Sequence, residues 1–292
     1  MTYRFRSACT TLRRDPGHLR VRDRAVLRIL NRSEVATAAQ LAVLAYGNRR
    51  LAQARLRQLW QMGYLERSTL PPIGPRGGAP YAYRLSSACL HRLGYRRNPW
   101  RGPGYLAHTL DAVEAVCALI RTSDPEAEPL VQLWLPESIV ADALPNGPVP
   151  DTIIVLNART GSGVVCLEID ESTQHVAPIR DKLRAYRQAI GGRSGWHALF
   201  VVPSRARGGW LRRVAQGCDL TGVSLIVVTA DELHRRGTAA ELASAAGPSR
   251  TLPLGTLLSD GRPRRSVTPV ATQAWLELLG SGGGEERGEL LV

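Results

Sequence analysis

The sequence predicts an α/β protein in two parts: a small helical part closed by a β-ribbon, then a larger part built on a mixed sheet flanked by helices. Three observations predict it. Three short helical patterns followed by two alternating segments run from Asp23 to Arg96. From Leu106 the order changes to helix, three strands, helix and strand, with further helix-strand units appended, which implies a sheet of mixed direction. The positive charge is confined to the first part. Residues 1–100 carry 19 Arg or Lys against 4 Asp or Glu, a balance of +15, while residues 101–292 carry 19 against 21. With 292 residues the chain has room for two domains of ordinary size, each with its own core.

In the first part, "RDRAVLRIL" places Val26, Leu27 and Leu30 on one side of a helix. Thr37 can cap a second helix, "TAAQLAVLAY", which stops at Gly47. Asn48 can cap a third, "NRRLAQARLRQLWQMG", which ends at Gly63. At about 100° per residue, Ala52, Leu56 and Leu59 fall on one arc of this third helix, and Arg50, Gln53, Ala54, Arg57 and Gln61 fall on the opposite one. Then "YLERSTL" and "YAYRLS" alternate with period two around "PPIGPRGGAP", a turn rich in Pro and Gly. Helix, helix, helix, ribbon is the order of a winged helix-turn-helix, expected over residues 20–97. In that arrangement the third helix enters the major groove of duplex DNA, offering Arg49, Arg50, Gln53 and Arg57, and the ribbon tip with Arg76 reaches the backbone or minor groove. A winged helix can also bind protein. The +15 balance favours double-stranded DNA, because a segregated field of that size selects a polyanion.

"GYRRNPWRGPG" reads as a linker and sets the boundary near residue 100. In the second part, expected over residues 105–245, the helix "LAHTLDAVEAVCALI" carries Leu106, Leu110, Val113, Cys117 and Ile120 on one stripe. Strands are expected at 131–135, 152–157 and 163–169, with "ARTGSG" turning between the last two. A helix near 177–190, the strand "HALFVVP", a helix near 207–216, the strand "VSLIVVT" and a helix opened by Asp231 follow. The tail, residues 246–292, is rich in Pro, Gly and Ser and is expected to be weakly ordered apart from "TQAWLELL".

The topology, with "PD" at the start of one strand and "EID" at the end of the next, resembles the PD-(D/E)xK, restriction-endonuclease-like superfamily. The succession of winged helix, "HTLDAVEAV", "PDTIIVL", "CLEIDESTQ" and "KLRAYRQA" more narrowly resembles the replication-relaxation family, proteins associated with plasmids and other mobile elements. The resemblance spans roughly residues 20–230 and rests on the order and spacing of short motifs. It implies that Asp151 and Glu168 bind a divalent cation, usually Mg2+, which activates water and neutralises charge on a scissile phosphate. The superfamily's lysine, expected two positions after that acid, is replaced by Asp170. Two readings compete: the lysine has moved to a neighbouring element, or the fold has lost its chemistry.

Lys182 is the candidate for a moved lysine, because it stands alone against 37 arginines. A chain so biased toward Arg retains Lys where a compact ammonium is needed; otherwise the lysine is a statistical leftover, or pairs with Asp170 to hold the sheet. It lies about 60° from the stripe Ile179, Leu183, Tyr186 and Ile190, close enough to lean toward Glu168. Glu168 and Asp170 share a strand face, and if Asp151 converges with them, three carboxylates demand a cation, a proton or a basic partner. Glu114 could join from the preceding helix, although an exposed helix position explains it better. His108 and His175 stand without ligand spacing.

No apolar run approaches the roughly 20 residues of a membrane span, and the N-terminus lacks the apolar core of a signal peptide, so a cytoplasmic protein is expected. The five cysteines show no paired spacing for zinc or disulfides and read as reduced. Together these readings point to a DNA-binding protein of plasmid or mobile-element replication or relaxation. Its nuclease-like part would be a scaffold, a dimeriser giving a homodimer, or a backbone binder. The alternative is a metal-dependent endonuclease or nickase using Asp151, Glu168 and Lys182.

Overall fold

The computed structural model describes residues 4–9, 11–12, 19–71, 79–94, 103–122, 130–137, 140, 147–158, 161–237, 241–244 and 251–253. The chain divides into two compact units, Met1–Cys117 and Ala118–Val292. The division falls inside the helix Pro103–Thr122, later in the chain than the stretch near residue 100 read as a linker. Residues 95–102 of that stretch lie outside the described residues.

The first unit contains β1 (Arg6–Ser7), α1 (Val21–Ser33), β2 (Ala36–Thr37), α2 (Ala38–Leu41), α3 (Arg49–Gln61), β3 (Leu65–Thr69), β4 (Tyr81–Leu85), α4 (Ser87–Leu93) and the start of α5 (Pro103–Thr122). Each expected cap is present. The Thr37 hydroxyl accepts from the Gln40 amide at 3.2 Å, and the Asn48 side chain accepts from the Leu51 amide at 3.1 Å. The second helix widens into a π-helical turn over Ala42–Tyr46, where the Gly47 amide reaches back to the Ala42 carbonyl. Gly47 then stops it in the left-handed region, at φ 69°. The ribbon pairs antiparallel from Leu65↔Leu85 to Thr69↔Tyr81 within a sheet of order β1-β3-β4-β2. The two-residue edge strands β1 and β2 and the short helix α4 carry too little periodicity to be read from sequence. α1 packs on β4 and α3 on β3. Val26, Leu27, Leu30, Ala52, Leu56 and Leu59 are buried, which is the core expected from helical spacing, and Leu41 of α2 joins them. The ribbon tip, residues 72–78 with Arg76, lies outside the described residues.

The second unit follows the expected alternation. Its elements are β5 (Leu130–Pro136), β6 (Thr152–Ala158), β7 (Gly161–Ile169), α6 (Val176–Ile190), β8 (Trp196–Val202), α7 (Arg205–Gln216), β9 (Ser224–Thr229), α8 (Ala230–Arg236), β10 (Glu241–Ser244) and β11 (Thr251–Pro253). The strands form one mixed sheet in chain order. β7, β8 and β9 are parallel, and the remaining neighbours are antiparallel. Two consecutive crossovers between adjacent parallel strands put α6 and α7 on one face. There Ile179, Leu183, Tyr186, Ile190, Leu211 and Val214 cluster with Cys166, Ala198, Phe200 and Val227. The last helix begins one residue before Asp231, because the Thr229 hydroxyl caps it by accepting from the Glu232 amide at 3.2 Å. Thr251–Pro253 belongs to the stretch expected to be weakly ordered, yet it pairs as the edge strand; from residue 254 that stretch lies outside the described residues.

Candidate functional site

Two surfaces chosen from the sequence can be built residue by residue, one in each unit. On α3, burial of Ala52, Leu56 and Leu59 turns Arg49, Arg50, Gln53 and Arg57 to solvent. Among the described residues no carboxylate pairs with these three arginines. Arg55, on the flank of the same helix, behaves differently. Its guanidinium grips the buried Asp23 carboxylate of α1 at 2.7 and 2.6 Å, and that carboxylate also accepts from the Arg20 amide at 2.7 Å. One arginine of α3 therefore ties helices together, while the others present an open row of donors and positive charge.

In the second unit, Glu168 lies on β7 two and four residues beyond Cys166 and Val164, both of which point into the helix-covered core. It is 2% exposed. A buried carboxylate must be partnered, and α6 supplies two partners. Lys182 Nζ donates to Glu168 Oε2 at 2.7 Å, and the Tyr186 hydroxyl donates to Oε1 at 2.7 Å. Lys182 and Tyr186 are four apart, so one helix face delivers both donors. Asp170 follows the end of β7, whose course its own amide continues by donating to the Val201 carbonyl at 2.9 Å. Arg207, from the first turn of α7, grips its carboxylate in bidentate fashion at 2.6 and 3.0 Å, while the Ser172 amide donates to it at 2.9 Å. Asp151 stands just before β6. With Thr152 paired to Leu167, the register continued by one residue sets it opposite Glu168, and its carboxylate accepts from the Ile169 amide at 2.6 Å.

The electrostatics follow from this packing. Burial first, and then the nearby Asp151 carboxylate, raise Glu168 to about 7, although Lys182 and Tyr186 act in the opposite direction. Burial works against the Lys182 charge, but the Glu168 carboxylate outweighs it, so the ammonium is held above the ordinary lysine value. The Tyr186 phenol is pushed well above its usual range, mainly by burial and then by Glu168. Glu168 is thus a carboxyl that titrates near neutrality beside an ammonium that stays charged.

The expected pairing of Lys182 with Glu168 is present in the geometry. Glu168, Asp151 and Asp170 all act on the Lys182 ammonium, and each is engaged by the protein: both Glu168 oxygens have donors, the Asp170 oxygens are held by Arg207, and one Asp151 oxygen accepts from a backbone amide. Among the described residues no group of three His, Cys, Asp or Glu side chains is placed to hold a metal ion. Lys182 and Arg207 already engage the Glu168 and Asp170 carboxylates from which a divalent cation would be held. In the first unit, Glu114 accepts from the buried Gln40 amide group at 3.2 Å.

The sequence profile of the replication-relaxation family matches residues 27–202, more than half of the chain. The chain belongs to this family. Comparison with curated proteins and with solved structures finds no match. In this replication-relaxation protein, sequence reasoning missed two residues of the carboxylate network. Tyr186 was counted only for its apolar ring, although its place four residues after Lys182 puts its hydroxyl beside the ammonium. Arg207 had a fainter signal, the Trp210 three residues later on which its guanidinium stacks at 3.8 Å. Neither α5 nor any other described helix is long and apolar enough to cross a membrane.

Proposed function

We propose that this replication-relaxation protein binds duplex DNA through a winged helix in the first unit and acts in replication or relaxation of plasmids or other mobile elements. In this reading α3 enters the major groove, and the second unit is a restriction-endonuclease-like fold serving as scaffold, dimeriser or backbone binder. The observation that carries the reading is the split on α3. Its core face is fully buried, Arg55 is consumed internally, and Arg49, Arg50, Gln53 and Arg57 stay exposed, with no carboxylate among the described residues pairing with the three arginines. A row of uncommitted guanidinium groups on a helix matches the acceptor-rich edges of guanine and the phosphates beside them. The family's name, replication-relaxation, supports the same assignment.

One observation favours a second reading, a cation-dependent nickase: the single lysine lies 2.7 Å from Glu168, where a moved catalytic lysine would stand. Against it stands the engagement of all three carboxylates by protein donors. Incubating the purified protein with supercoiled plasmid, with and without Mg2+ or Mn2+, separates the two. The scaffold reading expects retarded plasmid that remains supercoiled under every condition. Nicked circles that appear only with the cation, and vanish in Lys182→Arg while retardation persists, would establish the nickase instead. Absence of retardation altogether removes the DNA reading.

A further inference from the structure

Resting on the DNA-binding reading, we infer that Arg67, at the middle of β3 in the β3–β4 ribbon, is a pre-positioned phosphate-binding residue that extends the basic face of α3. Its guanidinium is stacked on two rings, 3.7 Å from the centre of Trp60 and 4.2 Å from that of Tyr81. Trp60 comes from the last turn of α3, three residues after the exposed Arg57, so the stack begins where the open row of α3 ends. The Trp60 indole is itself fixed, because its N–H donates to the Arg6 carbonyl of β1 at 3.0 Å. Register places Arg67 between Arg6 of β1 and Tyr83 of β4 on the sheet, and the flanking Tyr81 is 38% exposed.

Two other arginines of the first unit differ from Arg67 in being neutralised. Arg84 is paired with Glu66 at 2.8 Å and Arg55 with Asp23 at 2.6 Å, whereas among the described residues no carboxylate pairs with Arg67. Among the described residues the sheet thus leaves Arg67, like Arg6 opposite it on β1, without a carboxylate partner, in a part of the chain with a balance of +15. Stacking between two rings removes most of the side chain's freedom before any ligand arrives, which lowers the entropic cost of binding. It also commits the guanidinium to two rings, which leaves less of its face for stacking on a base. The planar edge remains, part of which contacts the Tyr83 hydroxyl. An edge with several N–H donors, fixed on a sheet, suits the oxygens of one backbone phosphate.

The test is binding of the full chain to two labelled duplexes of unrelated sequence, followed by fluorescence anisotropy across a salt series. Arg67→Gln should bind roughly tenfold more weakly, by the same factor on both duplexes. The slope of log K against log salt should become shallower by about 0.9, the loss of one phosphate contact. Arg67→Lys keeps the charge but not the stacked planar edge, and should weaken binding with the slope nearly retained. Wild type that binds with a steep slope left unchanged by Arg67→Gln overturns this inference while leaving the DNA reading intact. A loss confined to one duplex also overturns it, by indicating a base contact. Wild type that does not bind removes the underlying reading itself. If circular dichroism shows that Arg67→Gln is unfolded, Arg67→Lys decides, and unchanged affinity in that variant overturns the assignment.

Discussion

Glu168 is the residue on which the second unit turns: a carboxylate on a core-facing strand position that survives burial because one helix face brings it an ammonium and a phenol. Lys182→Met should leave the buried Glu168 carboxyl without its cation and push its titration further up, at a cost of up to about 3–5 kcal/mol at alkaline pH, where the group would otherwise be ionised, measured by chemical denaturation. The pH dependence has a definite sign. Glu168 titrates at about 7 in the fold against 4.5 ordinarily, so between those values the folded chain holds a proton that the unfolded chain releases. Its contribution to stability is therefore fully present below about pH 4.5, declines as pH rises, and is lost above about pH 7. Urea midpoints recorded across that window should fall with pH in the wild type, and Glu168→Gln should remove that part of the slope; an equal slope in both proteins would contradict the assignment. Much of this pair was legible in the sequence, because the period-two strand and the wheel of α6 aim Glu168 and Lys182 at each other. Arg207 was not, because its meeting with Asp170 depends on the β8–α7 turn, which brings together residues 37 apart.

At the scale of elements, α3 was the most legible part of the chain, since its cap, core face and stop are all local. The π-helical turn before it was not, because Ala42–Tyr46 reads as ordinary helix and only packing that buries Tyr46 selects the wider turn. The division of roles on α3 can be separated by mutation. Arg55→Ala strips the buried Asp23 of its cation and should lower stability by about 3 kcal/mol in thermal or urea unfolding, with discrimination between DNA sites unchanged. Arg50→Ala and Arg57→Ala, both on the exposed face, should leave unfolding nearly untouched and reduce discrimination by about 1–3 kcal/mol each, the worth of a bidentate guanine contact. If Arg55→Ala altered site preference as strongly as Arg57→Ala, the orientation proposed for the helix would be wrong.

Across the whole molecule, alternation of helices and strands made the α/β class readable, and the order of the three strands after α5 made the mixed sheet readable as well. The boundary was not, because Gly and Pro mark a break in local structure, whereas α5 carries Leu106 into the first unit's core beside Val35 and Ala82 and continues past the division. Charge is the whole-chain property with the sharpest consequence. The excess of +15 in residues 1–100 and the near balance of the rest predict that duplex binding by the full chain is governed by counterion release at the first unit. If Arg49 and Arg67 each neutralise one phosphate while Arg50 and Arg57 read base edges, the slope of log K against log salt is about −1.8, and a fourfold rise in salt weakens binding on the order of tenfold. Replacing Arg49, Arg50 and Arg57 together by Gln should bring the slope to about −0.9, whereas neutralising Arg180, Arg184 and Arg187 on α6 should leave it unchanged. An equal loss of slope in the two triple variants would mean that the second unit shares the DNA backbone, and the scaffold role assigned to it would then give way to that of a backbone binder.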